Sequence, residues 1–141
     1  MIVKSFELKK ISKNSKIFLI YGENEGLKKE IRTEITKKLE GKEINYEEGE
    51  IIKNFGEFAN LIKNHSLFDD KKIITINRCT EKISEIIFEI IDHNVDDVIF
   101  INSGILEKKS KLRIFFEKSN EFVIIPTYKD EHISLIRITR D

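Results

Sequence analysis

The sequence has little cysteine, no tryptophan and no excess charge of either sign. Cys79 is the one cysteine among 141 residues, so no internal disulfide can form and a reducing compartment is expected. Because Cys79 lies in an apolar segment, we expect a packed side chain and not a catalytic thiol. The 25 basic residues balance the 25 acidic ones. No global basic field therefore draws the chain onto DNA or an acidic membrane.

Long apolar runs are also missing. No segment approaches the roughly 20 apolar residues that a membrane-spanning helix needs, and residues 1–16 hold no apolar run typical of a signal peptide. We therefore expect a cytoplasmic protein without a membrane partner. Hydrophobic residues make up 40% of the chain and charged residues 35%, which fits one soluble globular domain over residues 1–141.

Apolar runs of strand length alternate with segments of helical periodicity. A continuous apolar run, typical of a strand buried on both faces, occurs at residues 17–21. Further strands are expected at 72–77, 97–102 and 122–125, with a weaker strand at 43–47. Helical spacing of apolar residues predicts helices at 27–39, 54–64, 80–93, 108–119 and 131–139. We expect Gly41 to cap the first helix and Pro126 to end the last strand. The alternation predicts an α/β fold of three layers with a mostly parallel five-stranded sheet.

The turn after the first strand stands where many α/β proteins bind phosphate. A Walker A loop needs Gly, four residues and then Gly-Lys-Ser/Thr, because the glycine backbone cradles phosphates and the hydroxyl binds magnesium. Counted from Gly22, Lys28 is in place. Leu27 occupies the second glycine position, however, and Lys29 occupies the hydroxyl position.

Two further features oppose nucleotide binding. Glu23 and Glu25 place negative charge in the turn, where it would repel a polyphosphate. The strand at 97–102 runs into Asn102-Ser103, which supplies no carboxylate to hold magnesium. We therefore expect a degenerate nucleotide loop and no cofactor.

Patterns for other chemistry are weak. His65, His93 and His132 are too far apart in the sequence to form a metal-ligand motif. Asp69-Asp70 and Asp96-Asp97 fit solvated turns before strands, although convergence in space would make them a carboxylate dyad. We expect neither a bound metal nor a catalytic residue.

Ser66-Leu67-Phe68 stands out because two large apolar residues lie between polar neighbours. The pair follows the predicted helix at 54–64 and precedes Asp69-Asp70. It is either a plug that closes the helix end against the core or an exposed anchor for a partner. An exposed leucine–phenylalanine pair on a rigid base is a candidate binding hot spot.

Four segments, in this order, resemble the N-terminal domain of the delta subunit of the bacterial DNA polymerase III clamp loader. They are an apolar strand with a Tyr-Gly-acidic turn (18–25), a Ser-Leu-Phe segment running into a strand (66–74), a strand followed by a basic helix start (97–112), and a strand at 122–126. The ordered set carries the resemblance, most clearly over residues 16–128.

The resemblance implies an AAA+ domain of the P-loop NTPase type without a working ATP site, in a non-catalytic subunit of a DNA polymerase holoenzyme. It implies that Leu67 and Phe68, presented by Ser66 and the helix before it, enter a pocket on the sliding clamp (the beta subunit). The domain would then help to open this ring during DNA replication. Other implied partners are the delta prime and gamma/tau subunits, through lid and collar domains that we expect this sequence to lack, and DNA indirectly.

Two other interpretations stay open. One is an atypical nucleotide-binding ATPase or kinase, and the other is an α/β interaction domain without a role in replication. A basic cluster at Lys108, Lys109, Lys111 and Arg113 fits either a solvated helix face or a weak DNA or partner contact.

Overall fold

The computed structural model describes residues 1–12, 14–63, 71–91 and 97–128. The strands are β1 (Ile17–Gly22), β2 (Lys42–Glu47), β3 (Lys72–Cys79), β4 (Val98–Ser103) and β5 (Val123–Thr127). The helices are α1 (Glu25–Thr36), α2 (Glu48–Lys53), α3 (Phe55–Lys63), α4 (Ser84–Ile91) and α5 (Lys111–Lys118), with short 3-10 turns at Leu8–Lys10 and Glu81–Ile83. One sheet runs in the order β2-β3-β4-β1-β5, and every neighbouring pair is parallel. The predicted α/β fold with a five-stranded parallel sheet is confirmed.

The side chains of β1 alternate between two cores. Phe18 and Ile20 pack with Leu27 and Ile31 of α1 on one face of the sheet. Leu19 faces the opposite core. That second core is built on helices α2 to α5, which contribute Ile51, Phe58, Ile62, Ile87, Ile90, Leu112 and Phe116. Helices therefore cover both faces, which explains why β1 is apolar throughout and buried along its whole length.

The connections that leave the neighbouring strands β1 and β4 pass over opposite faces of the sheet. β1 leads into α1, and β4 leads into α5 in the other layer. Where connections diverge in this way, a crevice opens outside the carboxyl ends of the strands, and α/β proteins use such crevices to bind ligands. The topology therefore points to the carboxyl edge of β1 and β4 as the place for a site.

Gly41 does not cap α1, and the prediction that it does was wrong. The helix ends at Thr36 with Lys37 as its C-cap, because the chain must turn back to enter β2. Gly41 lies in that return with φ +154°, and a Cβ there would stand 2.7 Å from the carbonyl oxygen of Lys71. The glycine therefore allows β2 to begin tightly against the segment before β3.

Two other element boundaries differ from the predictions. β5 continues through Pro126 to Thr127, because an edge strand tolerates a proline that lacks an N–H donor. α2 was not predicted, although Glu47 and Glu50 form a reciprocal capping box at its start. The predicted helix at 131–139 lies outside the described residues.

Candidate functional site

A cleft of ≈ 1450 Å³ lies at the carboxyl edge of the sheet, next to the point where the β1 and β4 connections diverge. It is bounded by the ends of β3 and β4, the loop before α5 and the first turns of α1. Its lining includes Lys28, Asn77, Arg78, Asn102, Ile105 and Ser110. The predicted nucleotide-loop position thus borders an accessible space, and the contacts around that loop decide its chemistry.

The turn between β1 and α1 consists of Glu23 and Asn24 alone. Asn24 caps the helix, since its side-chain oxygen accepts the N–H of Leu27 at 3.0 Å. Its side-chain nitrogen donates to the carbonyl of Tyr128 at 3.0 Å. The residues that would wrap around a phosphate in a Walker A loop therefore form the first turns of an ordinary helix.

Gly22 fixes the close approach of β1 to β5. Its φ is +126°, and a Cβ at this position would lie 2.0 Å from the carbonyl oxygen of Thr127. Its N–H donates to the carbonyl of Gly104 at 3.1 Å. Glycine is thus required here by contacts within the sheet, independently of any ligand.

Lys28 is directed into the protein. The residue is 5% exposed, and its Nζ donates to the carbonyl of Ser103 at 2.9 Å, at the end of β4. The same nitrogen lies 2.7 Å from Oε1 of Glu25. The ammonium group of Lys28 thus already pairs with a carbonyl and a carboxylate, so its charge is not available to a phosphate. Lys29, the next residue, is exposed on α1.

Neutral side chains form the end of β4. Asn102 donates from Nδ2 to Oδ1 of Asn77 at 3.0 Å, and Ser103 donates from Oγ to the carbonyl of Cys79 at 3.0 Å. Oδ1 of Asn102 is buried without a hydrogen-bond partner among the described residues. An amide pair therefore stands where magnesium binding would call for a carboxylate.

Arg78 is the one non-glycine residue with positive φ in the described part of the chain, at +53°. It lies in a register irregularity of β3 between Ile76 and Cys79, and its side chain is 85% exposed. The guanidinium contacts both carboxylate oxygens of Glu47, at 2.9 and 3.2 Å, which raises the pKa of Arg78. This residue was not predicted from the sequence, because no local sequence pattern predicts a bulge inside an apolar strand.

Cys79 is buried, as expected, with 3% of its surface exposed. Burial raises the pKa of its thiol far above the usual range, and the carboxylates of Glu48 and Glu47 add to that effect. A thiol held in its protonated form is a poor nucleophile. Cys79 therefore acts as a packed core side chain that borders the cleft.

The basic cluster before and in α5 divides into two groups. Lys108, Lys109 and Lys111 are exposed. Arg113 instead donates to the carbonyl of Leu106 at 2.9 Å and lies over the ring of Tyr21 at 5.2 Å. Only the three lysines are therefore available to a partner.

The predicted anchor residues Ser66, Leu67 and Phe68 lie outside the described residues, as do His65, Asp69-Asp70, His93 and Asp96. The chain enters β3 at Lys72, which pairs with Lys42 at the amino edge of the sheet. The described chain therefore resumes, after these residues, at the edge of the sheet opposite the cleft.

Comparisons with known proteins assign no family. No protein-family model matches the sequence, and no curated protein matches it. In the described part of the chain, no group of three or more histidine, cysteine or acidic side chains could hold a metal ion. Within the same residues, no helix has the length and apolar character needed to cross a membrane.

Proposed function

We propose that this chain is the N-terminal domain of a delta-type clamp-loader subunit. In this proposal it is an AAA+ domain with a degenerate nucleotide site, and it binds the DNA sliding clamp through Leu67 and Phe68. It catalyses no reaction itself and helps to open the ring during DNA replication. The proposal rests on the ordered set of segments that resemble the delta subunit and on the geometry around Lys28.

The environment of Lys28 is the observation that carries the proposal. A parallel sheet with a tight turn after β1 provides the scaffold of a nucleotide-binding domain. The lysine at the phosphate-loop position is nevertheless buried between Glu25 and the carbonyl of Ser103. A scaffold of this kind whose lysine is already paired within the protein fits a protein that uses the fold for binding and not for ATP hydrolysis.

Binding through an apolar anchor also agrees with the charge balance of the chain. A zero formal net charge supplies no long-range attraction to an acidic partner, so affinity must come from buried contacts. Aromatic side chains that fill a pocket are the usual source of such affinity. Leu67 and Phe68 are the residues of the sequence pattern that fit this role.

The direct test is clamp binding by a double variant. Leu67→Ala with Phe68→Ala should weaken binding to the cognate sliding clamp by more than about 100-fold, because truncating each hot-spot residue costs about 2 kcal/mol. Surface plasmon resonance measures the affinity, and circular dichroism verifies the fold. Ile105→Ala is the matched control, since Ile105 is an apolar side chain that is 66% exposed in the loop after β4. Unchanged affinity of the double variant would refute the anchor, and unfolding would show that the pair is a core plug.

Ring opening requires more than binding. A ligand shifts an equilibrium only by its differential affinity for the two states, so the domain must bind the open clamp interface more tightly than the closed one. A clamp cross-linked shut across its subunit interface should therefore bind the domain more weakly than an uncross-linked clamp. Equal affinities would restrict the function to binding.

An atypical nucleotide-binding enzyme is the second candidate, because the cleft lies at the crevice that α/β proteins use for ligands. Isothermal titration with ATP and magnesium separates the candidates. Saturable binding in the micromolar range would favour the enzyme. Absence of heat, together with clamp binding, would favour the clamp-loader domain.

A further inference from the structure

Two asparagine side chains line the cleft near the ends of β3 and β4, and their hydrogen bonding is incomplete. Nδ2 of Asn102 donates to Oδ1 of Asn77 at 3.0 Å. Oδ1 of Asn102 is buried and accepts no hydrogen bond from the residues that the structure describes. A buried carbonyl oxygen without a donor is unfavourable, and folded proteins contain few of them. The asparagine pair therefore has capacity for a further hydrogen-bonding partner.

The chemistry of the two carboxamides defines what that partner must offer. Each carboxamide carries one acceptor oxygen and two N–H donors, and the single hydrogen bond between Asn77 and Asn102 uses one of each. Turning both amides by half a rotation would keep a bond between them and would again leave an acceptor and donors over. A ligand with an N–H group beside a carbonyl therefore complements the pair in either orientation.

Backbone strain adjoins this pair. Asn77 directly precedes Arg78, whose φ of +53° lies in the left-handed region that non-glycine residues rarely adopt. Such residues concentrate at functional sites. Asn77 is only partly buried, so its side chain can turn and let a ligand reach the amide of Asn102. An unsatisfied amide and a strained backbone thus occur together at the carboxyl edge, where the topology places a ligand site.

The charges of the cleft favour an uncharged ligand. Five basic and five acidic side chains line it, so their formal charges cancel. Two of the basic groups are already paired, Lys28 with Glu25 and Arg78 with Glu47. The lining therefore provides no excess charge that would attract a phosphate or an ammonium group.

We propose that Asn77 and Asn102 bind a small uncharged molecule through its amide group. The N–H and the carbonyl of the ligand pair with the carboxamide groups that the protein leaves over. A lactam ring and an open-chain amide share this chemistry. The site goes beyond the proposed clamp binding, which uses neither asparagine.

Nitrogen–proton NMR spectra of the full chain test the proposal with two pairs of probe molecules. δ-Valerolactam and N-methylacetamide should shift the side-chain NH2 signals of Asn77 and Asn102 and reach saturation. N-methyl-δ-valerolactam and N,N-dimethylacetamide lack the N–H and should shift these signals much less. The NH2 signal of Asn45, which is exposed on β2 and does not line the cleft, is the internal reference. The tighter of the two N–H probes shows whether a lactam or an open-chain amide is preferred.

Substitutions of similar size assign the binding to the pair. Asn77→Leu and Asn102→Leu should each weaken binding of the N–H probes by more than about fivefold, because each removes a hydrogen-bonding group. Asn45→Leu is the matched control and should leave the affinity unchanged. Backbone amide signals verify the fold, and one folded variant of the pair is sufficient.

Two results would overturn the proposal. One is the absence of saturable shifts at Asn77 and Asn102, or equal shifts with the N-methylated molecules, which would assign Oδ1 of Asn102 to an ordered water. The other is an unchanged affinity in a folded variant of either residue.

Discussion

The contacts of Lys28 with its neighbours should also contribute to the stability of the fold. Removing its side chain takes away the donor to the carbonyl of Ser103 and the contact with the carboxylate of Glu25. Lys28→Ala should therefore lower the free energy of unfolding by about 1–3 kcal/mol. Lys29→Ala removes the same side chain from an exposed neighbouring position and should change stability by less than about 0.5 kcal/mol. Urea unfolding measures both, and equal effects would contradict the role of the Lys28 contacts.

Cys79 should make the free energy of unfolding fall as the pH rises. Burial raises the thiol pKa in the folded state, whereas the unfolded thiol titrates near about pH 8.5. Above that pH the unfolded state loses a proton that the folded state keeps, so stability falls as pH rises. Between about pH 8.5 and 10, the free energy of unfolding should decline by up to about 1.4 kcal/mol per pH unit.

A Cys79→Ala variant is the control for this pH dependence. Denaturant unfolding at several pH values should show the decline in the parent protein and a smaller one in the variant. Tyr21 and Tyr46 also have raised pKa values, but their ordinary pKa lies near 10, so they act mainly above this range. Identical pH profiles would show that the thiol is not the group responsible.

Residue types alone predicted part of this detail. The mismatches at Leu27 and Lys29 are visible in the sequence, because the Walker A motif fixes the residue types at those positions. The contacts of Lys28 with Ser103 are not visible, because they join residues 75 positions apart through the packing of α1 on β4. Arg113 likewise belongs to a basic cluster in the sequence, and only the fold shows that its side chain contacts the ring of Tyr21 and the carbonyl of Leu106.

Among the elements, β1 is tightly constrained at its last residue, Gly22. Gly22→Ala would place a Cβ 2.0 Å from the carbonyl oxygen of Thr127 at a positive φ, so it should cost about 3 kcal/mol or more. Gly49→Ala in α2 is the matched control, because a Cβ there meets nothing within 4 Å. It should be neutral or stabilising by up to about 1 kcal/mol, since alanine favours helices. A stability for Gly22→Ala near that of Gly49→Ala would show that β1 and β5 separate readily.

Element prediction succeeded where apolar periodicity was strong and failed where capping or edge position decided the outcome. The buried strands were found because a run of apolar residues needs cover on both faces. α2 was missed because its start depends on a reciprocal cap between Glu47 and Glu50, in a stretch with little apolar pattern. The end of β5 was misplaced because the tolerance for Pro126 follows from edge position, which is a property of the whole sheet.

At the scale of the molecule, the strand order separates two surfaces. The alternation of elements predicted a parallel sheet, but the placement of β1 between β4 and β5 depends on contacts between distant parts of the chain. That order creates the cleft at the carboxyl edge, whereas the described chain resumes after the anchor residues at Lys71, next to the start of β3 at the amino edge. The eight residues of β3 separate these edges by roughly 25 Å at about 3.3 Å per residue.

This separation predicts that clamp binding is insensitive to charge at the cleft. Lys109 and Lys111 line the cleft on the side of α5. Reversing both, with Lys109→Glu and Lys111→Glu, should change clamp affinity by less than about twofold, because the start of β3, which follows the anchor residues in the sequence, lies farther from the cleft than the roughly 8 Å Debye length at physiological salt. Surface plasmon resonance at that salt concentration, beside the Leu67→Ala and Phe68→Ala double variant, makes the comparison. A loss as large as that of the double variant would place the clamp at the carboxyl edge and assign the cleft to the interface.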